Sequence, residues 1–257
     1  MAGVMLFPAS PYKDTRITVV SVIGKETSNN LKSFTINQLL LDQNSAFGCG
    51  TWSLENGSPI SVDAFFSPES SILYLLVNGI NDARTQSYLF ASGRFRDKSF
   101  FEKMAIVEME SIHLLHIVFI LSHLVILIEQ SCRFDTEWLR TLKAVKYLRI
   151  KAESIVKSTL ADHCPGCPKI WMEEGRLAVP KMLFAFHRSP LRADLGAAKR
   201  NELLEKLEKS LEGQLVSLLK HHKIVDKHSP ESALACLPQY QMNLPIFSPK
   251  RDKLLSR

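Results

Sequence analysis

Residues 16–41 read RITVVSVIGKETSNNLKSFTINQLLL: a strand, a turn and a helix in that order. Ile17, Val19, Val20, Val22 and Ile23 form a run rich in β-branched side chains. Such a run suits a strand covered on both faces, as in a parallel sheet. Gly24 breaks the run, and Leu31, Phe34, Leu39 and Leu40 follow at a rough helical spacing. Phosphate-binding α/β proteins place the loop G-x-x-x-x-G-K-[ST] on this frame. Counted from Gly24, the second glycine falls on Asn29, the lysine on Asn30 and the hydroxyl residue on Leu31. The frame is present and its chemistry is missing.

The lysine of such a loop makes charge-assisted bonds to the phosphates, and the hydroxyl holds Mg²⁺. A hydrogen bond to a charged group contributes about 1.5–3 kcal/mol. Loss of the lysine alone therefore weakens binding roughly tenfold to a hundredfold. Loss of the metal ligand moves a micromolar site toward millimolar. The plain expectation is an ordinary strand-to-helix turn with no cofactor. The alternative is an atypical loop of Gly24, Lys25, Thr27, Ser28, Asn29 and Asn30, in which Lys25 reaches a phosphate from another register.

Two further nucleotide signals are absent. The acid that holds Mg²⁺ closes a later strand, often as D-x-x-G. Here the strand ends Val77-Asn78-Gly79, and Asp82 comes three residues after the glycine. A guanine reader, N/T-K-x-D, would follow the apolar strand Lys181 to Phe186, where the chain reads His187-Arg188-Ser189-Pro190. No catalytic residue and no resident metal are expected.

The chain has 257 residues, 46% hydrophobic and 23% charged, enough for one large α/β domain and outside the disordered class. A net charge of +6 is mild, and no dense basic block carries interleaved aromatics, so direct nucleic-acid binding is not expected. The five cysteines are scattered: Cys49, Cys132, Cys164, Cys167 and Cys236. That usage fits reduced thiols and a cytoplasmic setting. Cys164-Pro165-Gly166-Cys167 beside His163 invites zinc, but a structural site needs four ligands, and a plain loop is expected. Met1 to Phe7 lacks the basic start of a signal peptide.

In order, residues 1–15 are expected as a lead-in, residues 16–228 as the α/β domain, and residues 229–257 as a Pro-containing basic tail or linker. Ile60–Phe66 and Ser71–Val77 are expected as strands paired in a hairpin across Ser67-Pro68. Residues 80–98 read as a polar surface segment. A helix starts at Phe100 and runs to about Leu121, and a central strand follows at Leu124–Ile128. The segment Ile112 to Ile128 is the most apolar in the chain, but His113, His116 and His123 argue against a membrane span. His113 and His116 share a helical face without an evident third ligand. Asp135 is expected to cap a helix ending near Leu160, and Ala197 to Lys223 to form a long amphipathic helix. Trp52, Phe100, Phe101 and Trp171 fall outside the expected core and are candidate interface anchors.

Four blocks resemble one known family. They are Arg16–Gly24, SPESSILYLLVNGI at Ser67–Ile80, HLVILIEQSCRFDTEWLRTLKAVKYLR at His123–Arg149, and the pair Lys181–Leu191 with Leu207–Val225. In this order they are similar to the N-terminal domain of the nonsense-mediated mRNA decay factors that form the eighth member of the SMG group. The resemblance implies a doubly wound, mostly parallel, G-domain-like sheet with a degenerate nucleotide site. It implies a non-catalytic regulatory or scaffold role and a heterodimer with the ninth SMG member, which carries the nucleotide. It further implies regulation of the SMG kinase, a PI3-kinase-like protein kinase. A weak GTPase or ATPase and an RNA-contacting module are the alternatives.

Overall fold

The computed structural model describes residues 16–26, 32–39, 47, 60–91, 93–164, 166–188, 190–191, 194–225 and 232–237. The β-branched run forms β1 (Thr18–Gly24), and every residue of it after Thr18 is buried. After it come α1 (Lys32–Leu39), β2 (Ser61–Ser67), β3 (Ile72–Asn78) and α2 (Ala83–Ala91). Then follow α3 (Phe100–Leu121), β4 (Leu124–Glu129), α4 (Glu137–His163), α5 (Lys169–Glu174), β5 (Lys181–Phe186) and α6 (Ala197–His221). The sheet order is β2-β3-β1-β4-β5. β1 runs parallel to both β3 and β4, and β5 is parallel to β4. Among the described strands only β2 is antiparallel, paired with β3 in the expected hairpin. This is the doubly wound, mostly parallel, G-domain-like arrangement.

Alternation along the strands sends successive side chains to opposite faces. Ile23, Val77, Leu127, Phe184 and Phe186 share one cluster with Leu115 and Phe119 of α3, Leu142 and Val145 of α4, and Leu215 and Leu219 of α6. Val22, Leu76, Ile128 and Ala185 pack with Ile36 of α1 and with Phe47. Helix α3 is long and apolar enough to cross a membrane by length and composition. Its Leu115, Val118 and Phe119 lie instead in the core of this fold. It opens with a capping box: the Ser99 side chain takes the Glu102 N–H, and Glu102 reaches back to the Ser99 N–H.

Three expectations are corrected, and one on α1 falls mostly outside the described side chains. Residues 80–98 are not a bare surface segment: they form α2 and a short 3₁₀ turn at Gly93–Phe95, and Leu89 and Phe95 are buried with Val107 of α3. Thr136, not Asp135, is the N-cap of α4, and α4 continues to His163. In α1 Lys32, Ser33, Thr35 and Ile36 are buried, while Leu31 and Leu40, and the side chains of Phe34 and Leu39, lie outside what the structure describes. The boundary drawn at residue 228 is too early. Residues 232–237 pack into the domain: Ala235 bridges Val225, Cys236 bridges Lys181 of β5, and Ala233, Leu234 and Ala235 are buried. Residues 226–231 and 238–257, like the lead-in 1–15 and Trp52, lie outside the described residues.

Helix α6 carries a direct test of local helix physics. Gly213 lies in its interior with open space where a Cβ would stand. Gly213→Ala is expected to raise stability by about 0.5–1 kcal/mol, because glycine is the poorer helix former by that amount. Chemical denaturation reads the shift as a higher midpoint.

Candidate functional site

In open α/β sheets ligands bind beyond the carboxyl ends of the strands, where the strand order reverses. Here that place lies beyond β1, between β3 and β4. The chain leaves β1 at Gly24, whose φ is +146°. Lys25 and Glu26 follow, and both are held by neighbouring strand ends. The Gln130 side chain donates to the Lys25 carbonyl at 3.1 Å. The Glu26 N–H donates to Asp82 Oδ1 at 2.6 Å.

The Lys25 ammonium is held by two carboxylates. It donates to Asp135 Oδ2 at 2.6 Å and to Glu137 Oε2 at 2.5 Å. Partial burial pulls its pKa down, but the two carboxylates outweigh this and leave it above an ordinary lysine. Burial alone would raise Asp135; Lys25 and the Glu137 N–H, which donates to it at 2.9 Å, hold it below the usual range. Asp135 thus serves the first turn of α4 from one residue before the cap.

The counted frame missed the lysine that does open α1. Lys32 and Ser33 stand at the helix start, two residues beyond the positions assigned by the strict spacing. The signal was present as a Lys-Ser pair directly before the helical run. Lys32 is fully buried and donates to the Gly24 carbonyl at 2.7 Å, with Glu26 at 3.9 Å. Burial pulls its pKa down, and Glu26 and Asp82 act against that pull. Of the alternative phosphate-loop residues, Gly24 and Lys25 are placed as described above. Thr27, Ser28, Asn29 and Asn30 lie outside the described residues.

The acids that converge here exceed the bases. Asp82 is buried, and its carboxyl is pushed up to about 6, mainly by burial. Glu129 ends β4, accepts the Asp135 N–H at 3.0 Å, and is pushed up by burial to about 7. Asn78, at the end of β3, donates to Asp63 at 2.8 Å. Glu26, Asp82, Glu129, Asp135 and Glu137 surround the two lysines, a field that repels phosphate.

The other sequence candidates do not converge on this place. His116 is buried and His113 exposed on α3, and among the described residues no group of three or more His, Cys, Asp or Glu is arranged to hold a metal. His123 Nδ1 accepts the Val19 N–H at 3.0 Å, a structural use. His187 follows β5, and its N–H donates to the Glu129 carbonyl at 2.8 Å. Phe100 and Phe101 are 60% and 82% exposed, stacked edgewise on each other and next to Phe90.

Glu129 gives a pH prediction. Its folded pKa of about 7 lies above the ordinary 4.5, so the folded chain holds its proton more tightly than the unfolded chain. Stability from this group is present at low pH and is lost as pH rises from about 4.5 through 7. Glu129→Gln keeps an acceptor for the Asp135 N–H and removes the charge. The variant is expected to gain on the order of 1–3 kcal/mol over wild type at alkaline pH. The two should converge toward pH 5, as read from denaturation midpoints across the range. Equal stability at every pH would remove Glu129 from the buried position.

The Smg8_Smg9 family matches residues 12–251 of this sequence. The chain belongs to that family. It is 33% identical over 242 residues to the nonsense-mediated mRNA decay factor SMG8 of Caenorhabditis briggsae, covering 93% of this chain and 26% of that protein. It is 31% identical to SMG8 of Caenorhabditis elegans over 254 residues, covering 95% of this chain and 28% of the relative. The chain therefore spans about a quarter of the length of these relatives. Among solved structures it is similar to the small GTPase Arl6 of Trypanosoma brucei, with 14% identity, a TM-score of 0.30, and 79% of this chain and 81% of that one covered. The strand order and the family membership, not that distant likeness, carry the fold.

Proposed function

We propose that this chain is a non-catalytic scaffold and regulatory subunit in cytoplasmic nonsense-mediated mRNA decay. In this reading it pairs with a nucleotide-binding G-domain-like partner, the ninth SMG member, and together they regulate a PI3-kinase-like protein kinase. The observation that carries the reading is the internal use of both lysines beside Gly24. Lys25 is engaged by Asp135 and Glu137, and Lys32 by the Gly24 carbonyl. A phosphate would have to displace these contacts and enter beside Glu26, Asp135 and Glu137, with Asp82 and Glu129 close by.

A weak nucleotide site is the second reading, because Lys32-Ser33 does open α1. Titration with Mg-GTP and Mg-ATP separates the two. Binding no tighter than about 1 mM, or −4 kcal/mol, is expected for the isolated chain. Micromolar binding that is lost in Lys32→Met would establish the second reading in place of the first.

The partner has its own test. Stable pairs bury about 1,200–2,000 Å² around apolar and aromatic anchors. Phe101 is the most exposed large apolar side chain among the described residues. One-to-one copurification with the ninth SMG member is expected to survive Lys25→Ala and to fail in Phe101→Glu. A chain that stays monomeric when mixed with that partner refutes the scaffold reading.

A further inference from the structure

Helix α4 turns back into α5 at Cys164–Pro168 and makes an αα-hairpin. Its base is anchored: Gly175, just past α5, backs onto Glu153 and Lys157 of α4, which are themselves ion-paired at 2.6 Å. Its tip is a tight turn. The Cys164 N–H closes the last turn of α4 on the Leu160 carbonyl, and the Cys167 N–H donates to the Cys164 carbonyl, each at 2.9 Å. A bond from residue i+3 back to residue i is the mark of a β-turn, whose end Cα atoms lie within about 7 Å. A disulfide spans Cα atoms about 4.4–6.8 Å apart. The turn therefore brings its two cysteines into the range a disulfide needs. Both are free thiols, Cys164 exposed and Cys167 half-buried. The space beside Gly166 is open, so a small reagent can reach the tip.

The geometry points to a thiol–disulfide redox site at the α4–α5 tip, in which Cys164 attacks a small disulfide of the glutathione class and Cys167 resolves the product. In the first step the Cys164 thiolate, its proton given to solvent, bonds to one sulfur of the disulfide. The S–S bond breaks, and one glutathione leaves as a thiolate that takes up a proton. In the second step the deprotonated Cys167 sulfur attacks Cys164 Sγ and expels the second glutathione. Two protein thiols are oxidised to one disulfide, and one glutathione disulfide is reduced to two thiols. The order of attack follows exposure, since the accessible thiol reacts first. Burial and the adjacent Cys164 thiol push the Cys167 thiol up, which fits a resolving role. A bridge across so short a loop constrains the unfolded chain little, so it is readily reduced again. A metal use is disfavoured, since among the described residues no group of three or more such ligands is arranged to hold one.

The experiment incubates the full chain in a graded series of reduced and oxidised glutathione. Free thiols are then trapped by alkylation, and the cysteine peptides are read by mass spectrometry. The expected product is an internal Cys164–Cys167 disulfide that forms at a more reducing poise than any modification of Cys132 or Cys236. Cys167→Ser is expected to accumulate glutathione on Cys164, and Cys164→Ser to leave Cys167 alkylated at the same poise. Unchanged melting temperatures of both variants show that the fold is intact. Cys164 and Cys167 alkylated across the whole series would overturn the assignment. So would a wild-type mixed disulfide that never proceeds to the internal bridge.

Discussion

Truncating Leu127 to alanine is expected to cost about 2–4 kcal/mol of folding stability. Leu127 is fully buried in β4, opposite Ile23 of β1 on one side and Phe184 of β5 on the other. Its removal leaves a hole between the sheet face and the helices that cover it, beside strands that backbone hydrogen bonds hold in register. Those bonds oppose collapse into the hole, so the cavity part of the loss is retained. Against a total of about 5–15 kcal/mol for a domain, this is a large share. Val20 lies in β1, the strand next to β4, and Val20→Ala should move in the same direction by less, since fewer atoms are removed. Urea denaturation should show lower midpoints with an unchanged slope. Losses below ~0.5 kcal/mol at both positions would contradict the placement of β1 beside β4.

Gly24→Val is expected to be at least as damaging, by a different route. At φ +146° an L side chain is strained, and a Cβ there would stand 2.4 Å from the Ile128 carbonyl oxygen. That oxygen belongs to the backbone of β4 and cannot swing aside. Strain of this type costs about 1–3 kcal/mol before any steric term is added. The clash then forces β1 and β4 apart where Gly24 and Ile128 are in register. Even Gly24→Ala should lower stability by roughly 3 kcal/mol when the strain and the contact are combined. Soluble yield and the denaturation midpoint check it. A Gly24→Ala chain with wild-type stability would mean that the two strand ends do not approach as described. The glycine that a phosphate loop uses for close approach to a ligand is used here for close approach to the protein's own backbone.

The strands and long helices were legible because their periodicities are strong. The β1 run, the Ile60–Val77 hairpin, the break between α3 and β4 and the amphipathic pattern of α6 each follow from local pattern. Helix α2 was not legible, because its buried Leu89 lies in the short patch Tyr88-Leu89-Phe90, too brief to show a helical period after the polar residues before it. The candidate site was half legible. Gly24, Lys25 and Asp82 stood out as residues, but the two carboxylates that hold Lys25, Asp135 and Glu137, lie just before and at the start of α4, more than a hundred positions away. Lys32 was hidden by a second cause. A fixed motif spacing cannot report a loop two residues longer, and a wholly buried lysine runs against the ordinary preference of that side chain. The packing of residues 232–237 on β5 rests on contacts distant in sequence, which no local window contains.

That last contact has a consequence for biosynthesis. The Cys236 N–H bonds the Pro180 carbonyl, and its own carbonyl accepts the Met182 N–H, each at 2.9 Å. The start of the outer border of β5 is thus covered by residues made long after it. A ribosome adds about 5–20 residues per second. For the seconds needed to extend the nascent chain from Phe186 to Leu237, that border has no partner from this segment. An open strand border is a template for pairing with another chain. Ribosome-bound chains arrested before Ser232 are therefore expected to recruit chaperones or to associate with one another, and chains arrested once Leu237 has cleared the exit tunnel are not.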